Sequence, residues 1–336
     1  MRELIEKLQK GDNLKRSEMQ AVMTEIMSGR TTEHDMREFL ITMNEKGPTV
    51  EEITGAAQVM RKFALHVETK RPIVLDTCGT GGDGRNTFNI STTVAFVVAA
   101  AGVAVAKHGN RSVSSLCGSA DVLEALGVKL DITHDRLAVC LEEVGLVFLF
   151  AQRHHPAMKH VAPVRKALGV KTIFNVLGPL TNPARATHQM MGVYSKPLVE
   201  QMVQVLKNLG ARRVIVVHSA DGLDEISTAE KTSIGELNGE ETRMYEISPE
   251  EFNLTRASLE QYKGGDKDEN ARILLAVLQG EKGPKRDVVL LNAAFALYAA
   301  EAVKSPGEGL GLAANLIDEG KALKVLEKLR GFTNRS

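Results

Sequence analysis

Along the first seventy residues, apolar side chains recur at the three- and four-residue spacing of buried helix faces. The two clearest stripes are Val22, Ile26 and Met27, and Met36, Phe39, Leu40 and Met43. Three sequences resemble capping boxes, in which side chains satisfy free backbone groups at a helix start. They are Ser17-x-x-Gln20, Thr32-x-x-Asp35 and Thr49-x-x-Glu52. Residues 1–70 are therefore expected to form a small all-helical domain.

After Pro72 the pattern changes to short apolar runs separated by stretches long enough for helices. The runs are PIVLDT, GVAVAK, GLVFLF and RRVIVVH. This alternation predicts an α/β domain over residues 71–336, with a central, mostly parallel sheet flanked by crossover helices. One hairpin is expected around Asn238-Gly239, a pair that suits a type I′ turn. The segment from Ala313 to Leu329 is expected to be helical, interrupted at Gly320.

Composition narrows the class of protein. With 42 basic and 42 acidic residues the formal net charge is zero, which disfavours a nucleic-acid partner. The longest apolar run, residues 94–106, is too short to span a bilayer, so no membrane association is expected. No secretory signal is seen at the N-terminus. The three cysteines are widely spaced and lack a CxxC pair, which is typical of reduced thiols in a cytoplasmic protein.

A glycine-rich loop, Cys78 to Gly84, follows the first predicted strand. It satisfies the G-x-G-x-x-G pattern of dinucleotide-binding proteins, but the cationic stretch AVAKHGNR stands where a ribose-binding acid is needed. Glycines let backbone N–H groups approach phosphate oxygens, and a helix starting near Ser91 would direct its positive end to the same place. The loop therefore favours a phosphate ligand, with an ordinary tight turn as the alternative.

A second polar loop, KHGNRSVSS at residues 107–115, follows the next predicted strand. Its cations and serines suit an anion. Loops after neighbouring parallel strands open at the same edge of a sheet, so the two loops together predict a ligand with more than one phosphate. Taken alone, the second loop is equally well explained as a solvated basic segment.

A third loop carries three acids, Asp221, Asp224 and Glu225, after another apolar strand. Adjacent carboxylates repel each other unless a cation lies between them, and oxygen ligands beside phosphate indicate magnesium. The alternative is a solvated acidic turn.

The segment 152–183 contains Arg165 in a predicted helix, where a planar bidentate donor could hold a carboxylate. An exposed surface arginine is the default alternative. His155 and His160 are five residues apart and miss the spacing of a helical metal pair, which favours packing roles for these histidines.

Over its full length the chain resembles the anthranilate phosphoribosyltransferase family. Five motifs carry the resemblance, namely DTCGTGGD at 76–83, NTFNIST at 86–92, KHGNRSVSS at 107–115, FNVLGPLTNP at 174–183 and DGLDE at 221–225. Leu116 stands where a polar residue is expected. The resemblance implies a homodimer formed through the helical domain, which helices within about 155–185 complete, and substrates bound in the cleft between the domains.

The resemblance also implies ligands for individual residues. Phosphoribosyl pyrophosphate (PRPP) would be surrounded by Gly79, Gly82, Asp83, Thr87, Asn89, Ile90, Ser91, Thr92, Lys107, His108, Gly109, Asn110, Arg111, Ser112, Val113, Ser114, Ser115 and Ser119. Magnesium, expected as two ions, would be bound by Ser91, Asp224 and Glu225. Anthranilate would contact Gly79, Asn110 and Arg165.

The implied reaction joins anthranilate to PRPP with release of pyrophosphate, the second step of tryptophan biosynthesis from chorismate. The aromatic amine is neutral at pH 7, so no general base is expected. Catalysis would rest on positioning and on charge neutralisation by magnesium and by Lys107, with Asp224 and Glu225 holding the metal. A pyrimidine nucleoside phosphorylase, a nucleic-acid-binding relative and a dinucleotide-dependent oxidoreductase are the weaker alternatives.

Overall fold

The computed structural model describes residues 1–112 and 116–335. Four helices come first, and they are α1 (Arg2–Gln9), α2 (Arg16–Met27), α3 (Glu33–Lys46) and α4 (Val50–Phe63). The two predicted stripes form the interior of this unit, where Phe39 and Met43 are fully buried. The helices thus form because each one buries an apolar face against the others.

The larger part of the chain alternates strands with helices. Its strands are β1 (Val74–Gly79), β2 (Ala104–Gly109), β3 (Leu146–Phe150), β4 (His188–Gly192), β5 (Arg213–Ser219), β6 (Thr232–Asn238) and β7 (Glu241–Ile247). Its helices are α5 (Ile90–Ala100), α6 (Ser119–Ala125), α7 (His134–Val144), α8 (Ala151–His154), α9 (Ala162–Leu168), α10 (Phe174–Leu177), α11 (Pro197–Asn208), α12 (Lys267–Leu278), α13 (Pro284–Ala299), α14 (Pro306–Asp318) and α15 (Lys321–Asn334).

Within the described residues, the seven strands form one sheet in the order β3-β2-β1-β4-β5-β6-β7. Pairing is parallel from β3 to β5 and antiparallel for β6 and β7. This confirms the predicted fold, a small helical domain beside a larger α/β domain with a mostly parallel sheet. In a parallel sheet of this kind the loops after β1, β2 and β5 open on one edge, which is where ligands bind.

Three local expectations need correction or addition. Helix α2 is capped from Lys15, whose backbone N–H donates to Glu18, so Ser17 lies inside the helix. The hairpin register pairs Asn238 with Glu241, which makes Gly239 the first central turn residue. Its φ of +61° fits a type II′ turn, because a type I′ turn needs positive φ at both central positions. Strand β4 is not among the strands that the sequence predicts.

Two apolar cores hold the molecule together. One lies between α5, α13, α15 and one face of the sheet. The other joins the N-terminal helices to α11, to the opposite face of the sheet and to residues of the 157–180 segment, such as Val161 and Leu177. Among the described residues, no helix combines the length and the apolar character needed to cross a membrane.

Candidate active site

Strands β1 and β2 are direct neighbours, with Val74 paired to Ala104. The glycine-rich loop after β1 and the basic loop after β2 therefore open side by side, as expected from the sequence. Strand β5 lies two positions away on the other side of β1, separated from it by β4. The acidic loop that follows β5 thus reaches the same edge.

Lys107, near the end of β2, is only 3% exposed. Its ammonium donates to the carbonyl of Thr77 and, at 3.3 Å, to Oγ of Ser91. Burial lowers the pKa of Lys107, while the negative charge of Asp76 opposes that shift. The cation is thereby fixed between the end of β1 and the first turn of α5, where an anionic ligand would meet both.

The acidic loop contacts the glycine-rich loop directly. Oδ2 of Asp224 accepts a hydrogen bond from the backbone N–H of Gly81 at 2.9 Å. Burial raises the pKa of Asp224 to about 7, and the neighbouring charge of Asp83 adds to that shift. Burial likewise raises the pKa of Glu225 to about 8, with Asp224 as the next cause. A nearby cation would stabilise the charged form of both carboxyl groups.

Asp83 adds a further oxygen to this group. Its Oδ2 atom is buried, and no residue in the described part of the chain donates a hydrogen bond to it. Across residues 1–112 and 116–335 there is no cluster of three His, Cys, Asp or Glu side chains able to hold a metal by itself. Mg²⁺ usually binds through one or two carboxylates plus substrate phosphates and water, so the oxygen donors present fit that ion.

Small polar side chains lie at the start of α5. Asn89 stands at the N-cap, and its side chain donates to the carbonyl of Cys117 and accepts from Asn270. Thr87 pairs with Lys263 in an isolated bridge. The hydroxyl of Thr92 is buried without a partner in the described residues, while the side chain of Ile90 is buried in the apolar core.

The loop after β2 is held by hydrogen bonds to its own neighbours. The backbone N–H of His108 donates to Asp76, and the carbonyl of Asn110 accepts from the hydroxyl of Ser119 at 3.3 Å. Gly109 is packed so closely on Ser119 that a Cβ atom would clash with its hydroxyl. Of the expected PRPP residues, Val113, Ser114 and Ser115 lie outside the described residues.

Arg111 is engaged by acids in this structure. Its guanidinium forms ion pairs with Asp121 at 2.9 Å and with Glu124 at 2.6 Å. The backbone N–H of Ser112 also donates to Asp121. An anionic ligand would therefore compete with two carboxylates of α6 for this cation.

Arg165, on α9, is half-buried, and burial lowers its pKa. Its guanidinium lies 5.6 Å from the ring centre of Phe174. Among the described residues it has no ion pair and no side-chain hydrogen bond. Helix α9 packs on α3, so Arg165 extends from the part of the chain that contacts the helical domain.

Two residues at this edge were missed by sequence reasoning. Gly192 ends β4, and a Cβ atom there would clash with the carbonyl of Asp224, so the acidic loop can approach only because this position is glycine. Lys171 lies 3.6 Å from the ring centre of Tyr194, and its Cε would be 3.4 Å from a Cβ atom on Gly82. The sequence indicates neither residue, because Gly192 ends a strand that the sequence does not predict and Lys171 is an isolated lysine.

Comparison with known protein families follows the same division of the chain. Residues 2–64 match "Glycosyl transferase family, helical bundle domain" and residues 71–323 match "Glycosyl transferase family, a/b domain". Fold and site together therefore define a glycosyl transferase. Within that class, the chain belongs to the anthranilate phosphoribosyltransferase family, as its relatives show.

The anthranilate phosphoribosyltransferase of Symbiobacterium thermophilum is 53% identical over 335 residues, covering 100% of this chain and 98% of that protein. The crystal structure of the Thermus thermophilus enzyme has a TM-score of 0.93 at 43% identity, covering 98% of this chain and 99% of that chain. The Saccharomyces cerevisiae enzyme in complex with PRPP and Mg has a TM-score of 0.87 at 29% identity, covering 95% and 93%. The yeast enzyme is also known with 4-fluoroanthranilate, with a TM-score of 0.86, 28% identity and coverage of 95% and 93%.

Proposed function

We propose that this enzyme transfers the 5-phosphoribosyl group of PRPP to the amino group of anthranilate, releasing pyrophosphate, as the second step of tryptophan biosynthesis from chorismate. The observation that carries the proposal is the position of Lys107. Its buried ammonium lies at the junction of β1 and α5, and the glycine-rich loop that follows β1 also contacts the carboxylate of Asp224. Family membership supports the same reaction.

PRPP is assigned to the loops after β1 and β2. The residues proposed to surround it are Gly79, Gly82, Asp83, Thr87, Asn89–Thr92, Lys107–Ser115 and Ser119. Backbone N–H groups of the glycine-rich loop and of the first turn of α5 supply neutral donors to phosphate oxygens, and Lys107 supplies positive charge. Lys171, beside Gly82, is added to this set because its ammonium lies close to the same loop.

Magnesium is assigned to Ser91, Asp224 and Glu225, with two ions in the complete site. When bound, the ions would neutralise the charge that develops on pyrophosphate as it leaves. The raised pKa values of Asp224 and Glu225 support the need for a cation between these groups. The relative from yeast, described with PRPP and Mg, supports the identity of the metal.

Anthranilate is assigned to Gly79, Asn110 and Arg165. The guanidinium of Arg165 has no ion pair and no hydrogen bond among the described residues, so it can offer two parallel N–H groups to the carboxylate of the substrate. The partial desolvation of Arg165 would strengthen that pair. Asn110, fixed by its contact with Gln152 at 3.3 Å, would border the same pocket.

The chemistry needs positioning more than proton transfer. The amino nitrogen of anthranilate forms a bond to C1 of the ribose while the bond from C1 to the pyrophosphate oxygen breaks, with inversion at C1. The proton of the amine leaves to water after the bond has formed, so no general base is assigned. Lys107 stabilises the charge on the departing oxygen, and the two loops hold the reacting groups in line.

The wider assignments belong to the same proposal. A boundary near residue 70, with the 155–185 segment completing the helical domain, is supported by the contacts of Pro156–His160 with α2 and of α9 with α3. A homodimer through the helical domain rests on family resemblance. A cytoplasmic location is supported by the three buried cysteines, none of which forms a disulfide bond within the described residues.

The proposal is tested by supplying two substrate pairs to the purified chain. One is anthranilate with PRPP, and the other is a pyrimidine nucleoside with phosphate. Formation of N-(5-phosphoribosyl)anthranilate and pyrophosphate in equal amounts is expected from the first pair, with no turnover of the second. Turnover of the nucleoside alone would contradict the proposal and indicate a phosphorylase.

A further inference from the structure

A cavity of about 430 Å³ opens at the opposite edge of the sheet from the candidate active site. It lies between the end of α4, the residues that precede β4 and those that precede β5. The loops of the candidate active site follow β1, β2 and β5 at the carboxyl edge. The cavity is therefore a separate feature, and the proposed reaction makes no use of it.

The charge of this cavity is one-sided. Three of its lining residues are the cations Arg61, Lys62 and Arg185, and none of the described lining residues is Asp or Glu. Arg61 is satisfied by carbonyl groups, since it donates to Leu180 at 2.7 Å and to the end of α11 at 3.1 Å. These hydrogen bonds involve Arg61 alone and do not engage Lys62 or Arg185.

The side chains of Lys62 and Arg185 lack partners of this kind. Within residues 1–112 and 116–335, neither side chain has an ion pair or a hydrogen bond. Burial lowers the pKa of Arg61 to about 10, and the positive charge of Arg185 contributes to that shift, so the two guanidinium groups repel each other. Arg185 also has a φ of +52°, a left-handed conformation that a residue with a side chain seldom adopts. Such conformations concentrate at binding sites.

We propose that this cavity binds a small phosphate-class anion. Arg185 and Lys62 contact the anion, and Arg61, held in place by its hydrogen bonds, lines the cavity. A guanidinium fork matches the geometry of phosphate oxygens, and a concave site lined by one sign of charge concentrates ions of the other sign. Lys62 extends from α4 of the helical domain and Arg185 precedes β4 of the sheet. An anion held by both would therefore join the two domains at the edge opposite the candidate active site.

Isothermal titration of the full-length protein with inorganic phosphate tests this proposal. Saturating PRPP and Mg²⁺ occupy the candidate active site, so heat from phosphate reports a second site, with one ion expected per chain. The double variant Lys62→Ala/Arg185→Ala should bind phosphate at least about tenfold more weakly, because two charged contacts are lost. The double variant Lys324→Ala/Lys328→Ala, which removes two exposed charges from α15, should bind as the wild type does.

The proposal is overturned if the cavity variant binds phosphate as tightly as the wild type does. Turnover without added phosphate and the melting temperature of the cavity variant should stay at wild-type levels, which excludes misfolding. A titration without PRPP, comparing the cavity variant with the wild type, reports on the cavity even if the proposed reaction fails. The same titration with ribose 5-phosphate distinguishes the source of the anion. If ribose 5-phosphate binds the cavity more tightly than inorganic phosphate does, the ligand is a phosphomonoester. If it binds more weakly, the ligand is the free phosphate ion.

Discussion

Gly79 and Asp224 approach so closely that a Cβ atom on Gly79 would lie 2.5 Å from Oδ2 of Asp224. The last residue of β1 and the acidic loop after β5 are therefore in direct contact, although they are far apart in the chain. The same carboxylate oxygen accepts the hydrogen bond from Gly81. The close approach sets the position of a proposed magnesium ligand.

Replacing Gly79 by alanine should move this carboxylate. We expect kcat/KM to fall by about tenfold or more, because a shift of even a fraction of an ångström misplaces a charge at the reacting centre. Gly331→Ala in α15 is the matched control, since its added methyl meets no atom within 4 Å. Steady-state rates for both variants check the prediction, and equal rates would show that the contact is unimportant.

Removing the charge of the acidic pair should impair magnesium-dependent turnover. Asp224→Asn and Glu225→Gln are each expected to lower kcat by roughly 10²–10³-fold at a fixed Mg²⁺ concentration. A magnesium titration should show that the concentration needed for half-maximal rate rises. Asp221→Asn serves as the control, because the carboxylate of Asp221 accepts hydrogen bonds from the backbone N–H of Leu223 and from the hydroxyl of Ser227. Near-normal turnover of the first two variants would refute the ligand assignment.

Arg165→Ala should weaken anthranilate binding selectively. Loss of a charge-assisted bidentate contact corresponds to about 1.5–3 kcal/mol, or roughly a 10- to 150-fold rise in the KM for anthranilate. The KM for PRPP should change little. Lys166→Ala, the adjacent exposed cation, should leave both constants unchanged. Equal effects of Arg165→Ala on the two substrates would exclude the assigned role.

His155 should contribute to loss of stability in acid. Burial lowers its pKa to about 4 from an ordinary value of 6.5, so the unfolded chain takes up a proton that the folded chain excludes. The free energy of unfolding is unaffected by this group above pH 6.5 and falls as the pH drops from 6.5 towards 4. Between pH 7 and pH 5 the contribution is about 2 kcal/mol.

Urea unfolding of the wild type and of His155→Gln at these two pH values measures that contribution. The variant should lose less stability on acidification than the wild type does. Any constant cost of the substitution appears at both pH values and cancels in the comparison. An equal loss in both proteins would mean that His155 is accessible to protons in the folded state.

Much of the fold could be predicted because its elements carry simple periodic patterns. Strand β3 is apolar throughout, β5 has an apolar centre, and β1 and β2 begin with apolar residues, as is typical of a parallel sheet that is buried on both faces. Strand β4 could not be recognised, because it contains His188 and Gln189, both buried. Gln189 donates to the carbonyl of Pro179 at 2.6 Å, a partner that only tertiary structure supplies.

The candidate site shows the same limit. Loops after strands indicated the phosphate edge, and adjacent acids indicated a cation, since both features are local in sequence. The engagement of Arg111 by Asp121 and Glu124 was not foreseen, because charges 10 and 13 residues apart give no pattern when a loop lies between them. Lys171 was missed for the same reason, as its contact with Tyr194 joins two separate segments.

The most direct test of the proposed reaction is the fluorescence of anthranilate incubated with the purified enzyme and PRPP, with and without Mg²⁺. We expect fluorescence to be lost only when Mg²⁺ is present, with pyrophosphate released in equal amount. A folded protein that binds PRPP and yet leaves anthranilate fluorescence unchanged would contradict the assignment of anthranilate as the acceptor.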